Sequence, residues 1–156
     1  MSEYRFEKER VQATLLLAPG TSISGSFFVA GHSSVRQGRE RVGDLLNAHA
    51  GFFPFELRDG STVLYNRAHV VVVTLEPPIS EATDDSGYAV AVQRHVEVML
   101  STGMRVRGIV AVYSPPGHQR LSDYARSPET FRYLVTQKNT LIINVAHIVE
   151  LTELAD

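Results

Sequence analysis

The chain has 156 residues, 44% of them hydrophobic and 21% charged, with a formal net charge of −2. That composition belongs to a globular, soluble protein with room for one ordinary domain or two very small ones. It creates no global field to gather a polyanion, and the absence of cysteine excludes disulfides, thiolate catalysis and cysteine-ligated zinc.

The first ten residues carry Glu3, Glu7 and Glu9 and do not read as a secretory signal. Residues 11–17 form an apolar first strand. Gly20 follows as a turn residue, because only glycine takes positive φ without cost. Residues 23–29 alternate as a second strand, with Gly25 inside it. The loop 31–40 holds Arg36 and Arg39, and a short helix follows near Gly43, with Asp44 in its first turn where the dipole favours a carboxylate. Residues 62–75 form a long strand, continuous in valine and therefore buried on both faces or central in a sheet. Its apolar run at 70–73 is far too short to cross a bilayer, so a cytoplasmic protein without membrane insertion is expected.

Residues 76–93, with Pro77, Pro78, Glu81, Asp84 and Asp85, read as a polar, acidic linker. Beyond it the same series returns. Residues 96–100 form a strand, Gly103 a turn, and residues 106–113 an alternating strand that contains Arg105 and Arg107 around its start and Gly108 within. A proline-containing loop, Ser114-Pro115-Pro116-Gly117, leads to a helix start at Ser122 or at Ser127-Pro128-Glu129. The last strand covers residues 140–151.

The return is visible residue by residue. Leu17, Gly20, Ile23, Gly25 and Val29 meet Leu100, Gly103, Val106, Gly108 and Val112. Arg41-Val42-Gly43-Asp44 meets Arg120-Leu121-Ser122-Asp123, and Phe52 meets Phe131. Asn66-Arg67-Ala68-His69 meets Asn144-Val145-Ala146-His147. Three blocks in one order, with small indels only between them, define two diverged copies of one β unit, 1–75 and 94–156. Each is marginal as a free-standing domain, so the copies are expected to pack as a pseudo-twofold pair sharing a core or a continuous sheet.

A strand ending in Leu-x-x-Gly, then x-x-Ile/Val-x-Gly and another apolar strand, resembles the first motif of Sm-like small β-barrels. The stretch from Leu141 to Val149, an apolar strand turning through Asn144 into another, is similar to the second. The Arg-x-x-Asp helix, the phenylalanine and the Asn-x-Ala-His strand also resemble an uncharacterised bacterial domain family. The Sm likeness implies small β-barrel units, ring assembly and RNA binding. Two features depart from it: no N-terminal helix is evident, and a helix stands where Sm barrels have their middle strands.

The repeated His69 and His147 invite a metal reading, but zinc needs three or four converging ligands at spacings such as His-x-x-x-His, and this sequence has no such spacing. The expected role of Asn66, Asn144 and the two histidines is hydrogen bonding at a strand bend. Arg41/Asp44 and Arg120/Asp123 stand at i and i+3, a spacing that suits a local ion pair. No serine sits in a nucleophile elbow, and the glycines do not precede a long helix as in a phosphate loop. No catalytic residue, metal or cofactor is expected. The reading is a non-enzymatic protein-interaction or assembly module with an unidentified protein partner, possibly its own copies. The alternative is an Sm-like RNA or nucleotide binder using Arg36, Arg39, Arg105 and Arg107.

Overall fold

The computed structural model describes residues 8–31, 40–75, 81–82, 91–112, 121–126 and 128–155. Its elements run β1 (Lys8–Leu17), β2 (Thr21–Ala30), α1 (Val42–Ala48), β3 (Phe52–Leu57), β4 (Thr62–Asn66), a 3₁₀ turn (Arg67–His69) and β5 (Val70–Leu75). Then come β6 (Val92–Leu100), β7 (Arg105–Val112), α2 (Leu121–Ala125), β8 (Phe131–Val135), β9 (Thr140–Asn144), a second 3₁₀ turn (Val145–His147) and β10 (Ile148–Glu153). The fold is mostly β, as expected. All ten strands join one antiparallel sheet in the order β10-β6-β7-β8-β9-β5-β1-β2-β3-β4.

That order corrects the expectation of closed barrels. Among the described residues the sheet is open, because β10 and β4 each have a neighbour on one side only. At its middle, β5 pairs with β9 and so joins residues 8–75 to residues 92–153 at one seam. The expected long strand 62–75 is two strands broken by the 3₁₀ turn, and 140–151 breaks in the same way.

The continuous apolar sequence of β5 and β9 follows from this central position. A strand with a hydrophobic core on each side needs apolar side chains at odd and even positions alike. Val70, Val73, Leu75 and Ile142 face a core with Leu15, Phe27, Phe53 and Phe55. Val71, Val72, Leu141 and Ile143 face a second core with Val96, Val98, Leu100 and Val110. Within the first, Phe27 stacks on Phe53 at 5.4 Å and meets Phe55 edge-on at 5.1 Å, the offset and T-shaped geometries that aromatic quadrupoles favour. The expectation of two-faced burial fails for β4 and β10, which stand at the edges and contain no fully buried residue.

Two glycine pairs behave differently. Gly25 and Gly108 lie where a neighbouring backbone comes very close: a Cβ on Gly25 would fall 2.2 Å from the Glu56 carbonyl oxygen, and one on Gly108 2.5 Å from that of Val135. Gly103 takes φ +89° in its turn; Gly20 also lies in the turn between its two strands but outside the left-handed region and facing open space, so the turn is met without the positive φ expected of it. The Ala18–Pro19 peptide just before it is cis.

Helix α1 starts at Val42, after Arg41 as N-cap, two residues earlier than the N-cap expected at Gly43. The linker is not uniformly solvated either, because Glu81 and Ala82 are buried. Both Glu81 carboxylate oxygens accept from the Val42 N–H at 2.9 Å, and the Tyr133 hydroxyl donates to Oε1 at 2.8 Å. The carboxylate thus meets the otherwise unpaired donors of the helix start and ties the linker to β8. Among the described residues no helix is long and apolar enough to cross a membrane.

Candidate functional site

The seam between the halves shows what a closed junction in this sheet looks like. β5 and β9 pair with Val72 opposite Ile143, Val73 opposite Ile142, Thr74 opposite Leu141 and Leu75 opposite Thr140. Beside the ladder, Asn144 is 1% exposed. Its Oδ1 accepts from the Ala146 N–H at 3.0 Å, while its Nδ2 donates to the carbonyls of Val70 at 2.9 Å and Arg67 at 3.3 Å. The His147 ring spans two chain segments, its Nε2 lying 2.9 Å from the Ala68 carbonyl oxygen and its Nδ1 2.8 Å from the Ser101 hydroxyl. Asn47 closes the seam from α1, donating to the Phe131 carbonyl and accepting from the Phe131 N–H, both at 2.9 Å. Side-chain amides suit this task because each carries a donor and an acceptor on one rigid plane.

Residues that align with these in sequence stand at the two outer edges, without a strand beside them among the described residues. Phe131 is 3% exposed at the seam, whereas Phe52, which pairs with Asn66 as Phe131 does with Asn144, is 63% exposed. Ile142 in β9 is fully buried, but its counterpart Leu64 in β4 is 62% exposed. Val71 in β5 is fully buried, and its counterpart Val149 in β10 is 62% exposed. Asn66 accepts from the Ala68 N–H at 3.0 Å, the same cap that Asn144 makes. Its Nδ2 and the His69 ring meet no partner among the described residues, and His69 is exposed. The backbone polar groups of an edge strand are in addition a template for another strand.

Edge β10 also differs chemically from β5. Glu150 and Glu153 stand where Val72 and Leu75 stand in the other half. Glu150 lies 3.4 Å from Arg105 and Glu153 3.5 Å from Arg94. Charges along an edge are the usual device against indiscriminate pairing.

The remaining predicted residues fall into two groups. Arg41 and Asp44 form the i,i+3 ion pair, Nη2 to Oδ1 at 3.0 Å, with the guanidinium 5.5 Å from the centre of the Tyr133 ring. Arg105 and Arg107 converge on Glu97 at 3.1 and 2.8 Å. The hydrogen bond from Arg107, with Arg105 adding to it, holds the Glu97 carboxyl below its ordinary value. Arg36, Arg39 and Arg120 lie outside the described residues, as does the Asp123 side chain. Among the described residues no group of three or more histidine, aspartate or glutamate side chains gathers to hold a metal ion. An open groove of about 310 Å³ lies beside the seam, lined by Leu16, Val72, Met104, Val106 and Leu141 among others, with Arg107 at its wall.

Sequence reasoning missed Phe52, Leu64, Val149, Asn47, Glu81 and Tyr133. A signal for the edge did exist: two glutamates in β10 stand where the aligned sequence of β5 has two apolar residues. Compared with known proteins, the chain matches no family model, no curated protein and no solved structure.

Proposed function

We propose that this chain is a non-enzymatic docking module, built from two diverged copies of an Sm-like small β unit and joined to other protein chains through its open sheet edges. The duplication is supported by the repeated element order and by the matched pairs Asn66/Asn144 and Gly25/Gly108. The observation that carries the docking reading is the exposure of Phe52, Leu64 and Val149 on or beside the two unpaired edges. Exposed large apolar side chains beside open backbone donors and acceptors are what strand addition uses: main-chain bonds for affinity, alternate side chains for specificity. The RNA reading draws less support, because Arg105 and Arg107 are already engaged by Glu97 and would exchange that pairing for phosphate.

The test is capture by immobilised protein from a cell lysate at low and high salt, using wild type, Leu64→Glu and Val149→Glu. Protein retained by the wild type at high salt and lost with either edge variant supports edge docking. Nucleic acid retained at low salt and stripped at high salt, with both variants unaffected, would put RNA binding in its place.

A further inference from the structure

We infer that the groove beside the seam is a binding site for a small apolar monoanion, with the size and chemistry of a medium-chain carboxylate. The site is separate from the open edges and does not depend on the docking reading. Among the exposed large apolar side chains, Phe52, Leu64 and Val149 belong to the edges, whereas Met104, 45% exposed, lines this groove.

The curl of the sheet makes the concavity. Val106 of β7 and Leu16 of β1 line the groove together, although β8, β9 and β5 stand between them in strand order. Leu16, Val72 and Leu141 form its apolar floor. They keep 9, 4 and 7% of their surface open, where Val71 and Val73 beside them keep none. A hydrocarbon laid on that floor removes the remaining apolar surface from water, together with its own.

The polar groups of the groove divide into spent and unspent. The Thr136 hydroxyl is spent, donating to the Asn139 carbonyl at 3.0 Å and accepting from the Asn139 N–H at 2.9 Å, which pins the turn between β8 and β9. The Thr14 hydroxyl is engaged with that of Ser24 at 3.0 Å. The Thr74 hydroxyl and the Asn139 side-chain amide meet no partner among the described residues. Thr74 is also the one polar residue of β5, whose other members are valines and a leucine.

Arg107 supplies the charge. Glu97 takes only its Nε, at 2.8 Å, and is shared with Arg105. Both Nη groups of Arg107 are without a partner among the described residues, and a guanidinium edge of this kind suits a carboxylate. A monoanion adds there without displacing Glu97, whereas a dianion meets the Glu97 charge as a stronger repulsion. The volume of about 310 Å³ stands at the small end for ligand sites. It suits a molecule of about ten non-hydrogen atoms, such as octanoate.

The experiment titrates octanoate into the full-length chain carrying isotope-labelled methionine methyls, with the Met104 signal identified by Met104→Leu. Octanoate should shift that signal saturably and leave the signals of Met1 and Met99 in place. Butyrate should bind at least about tenfold more weakly, since each buried methylene is worth about fourfold. Octanol and octylammonium, which lack the negative charge, should each bind about fivefold more weakly or worse than octanoate. Arg107→Gln, at a side chain 72% exposed, should lower octanoate to the level of octanol with unchanged circular dichroism. Leu64→Glu, at the β4 edge, should leave the titration as it is.

A Met104 signal that octanoate does not move saturably overturns the inference, whatever the edge variants capture. Equal affinities for octanoate, octanol and octylammonium also overturn it, as does an Arg107→Gln chain that binds octanoate like the wild type. Octanoate binding in a chain whose edges capture no protein would remove the docking reading and leave this site standing.

Discussion

Replacing Asn144 with alanine removes three hydrogen bonds from a site that is 1% exposed, two across the seam and one within its own turn. Each is worth about 1 kcal/mol net, and water cannot reach the groups left behind, so the expected loss is about 3 kcal/mol. With a urea dependence of about 2 kcal/mol per molar, the unfolding midpoint falls by about 1.5 M with an unchanged slope. The matched substitution Asn66→Ala removes only the bond from Ala68, in a turn open to solvent. Its cost in the monomer is about 0.5–1 kcal/mol, a midpoint shift below about 0.5 M. Asn144→Asp separates the two roles of the side chain. It keeps the oxygen that caps the turn but turns a carboxylate toward two carbonyls, and should cost at least as much as alanine. The assay is urea unfolding followed by circular dichroism, at a concentration low enough to keep the chain monomeric. Equal midpoints for Asn144→Ala and Asn66→Ala would refute the assignment of different work to the same motif in its two places.

Gly25→Ala and Gly108→Ala should each lose about 1–3 kcal/mol, because the added methyl falls on a backbone carbonyl that cannot move alone. Gly20→Ala, with open space around it, should be neutral or gain up to about 1 kcal/mol, and thermal melting distinguishes the three. Burial, with the Glu81 charge beside it, raises the Tyr133 phenol far above its ordinary value, and burial pushes Tyr124 up to about 12. A raised phenol favours folding below pH 10 and loses that contribution as pH rises through the folded value. Stability measured in urea should therefore fall above pH 10, and Tyr124→Phe should flatten the fall between pH 10 and 12 by up to about 1.4 kcal/mol per pH unit. The lowered Glu97 carboxyl works in the opposite sense, its contribution present above the ordinary glutamate value of 4.5 and lost as pH falls through the lower folded one. Glu97→Gln should make the acid limb of the stability profile shallower, and an unchanged limb would show that the Arg105–Glu97–Arg107 cluster contributes nothing to folding.

Local order in this protein is written in local sequence. The alternation of β2 and β7, the glycines that admit a neighbouring strand, the Arg41–Asp44 pair and the Asn-x-Ala-His turns all follow from a few adjacent residues. Several of these signals occur twice along the chain, and each time the same local conformation follows, as in the two Asn-x-Ala-His turns. The valine run of β5 likewise announces a strand with no solvent-facing side, since its apolar residues occupy both parities.

What short-range pattern does not encode is which strand each edge meets. β4 and β9 have similar sequences, so neither announces by itself which stands at an edge and which at the seam; of β5 and β10, the two glutamates of β10 are the one local mark of an edge. Only the assembled sheet places β9 against β5, makes Asn144 a buried clamp and leaves Asn66 exposed. For the same reason Glu81, a linker carboxylate by composition, becomes a buried partner of Tyr133 and of the first turn of α1. Its partners lie 39 and 52 residues away along the chain. Residue type and spacing settle local conformation because that depends on neighbours within a few positions. Burial and pairing depend on contacts between distant segments, which exist only once the sheet has closed its internal seam.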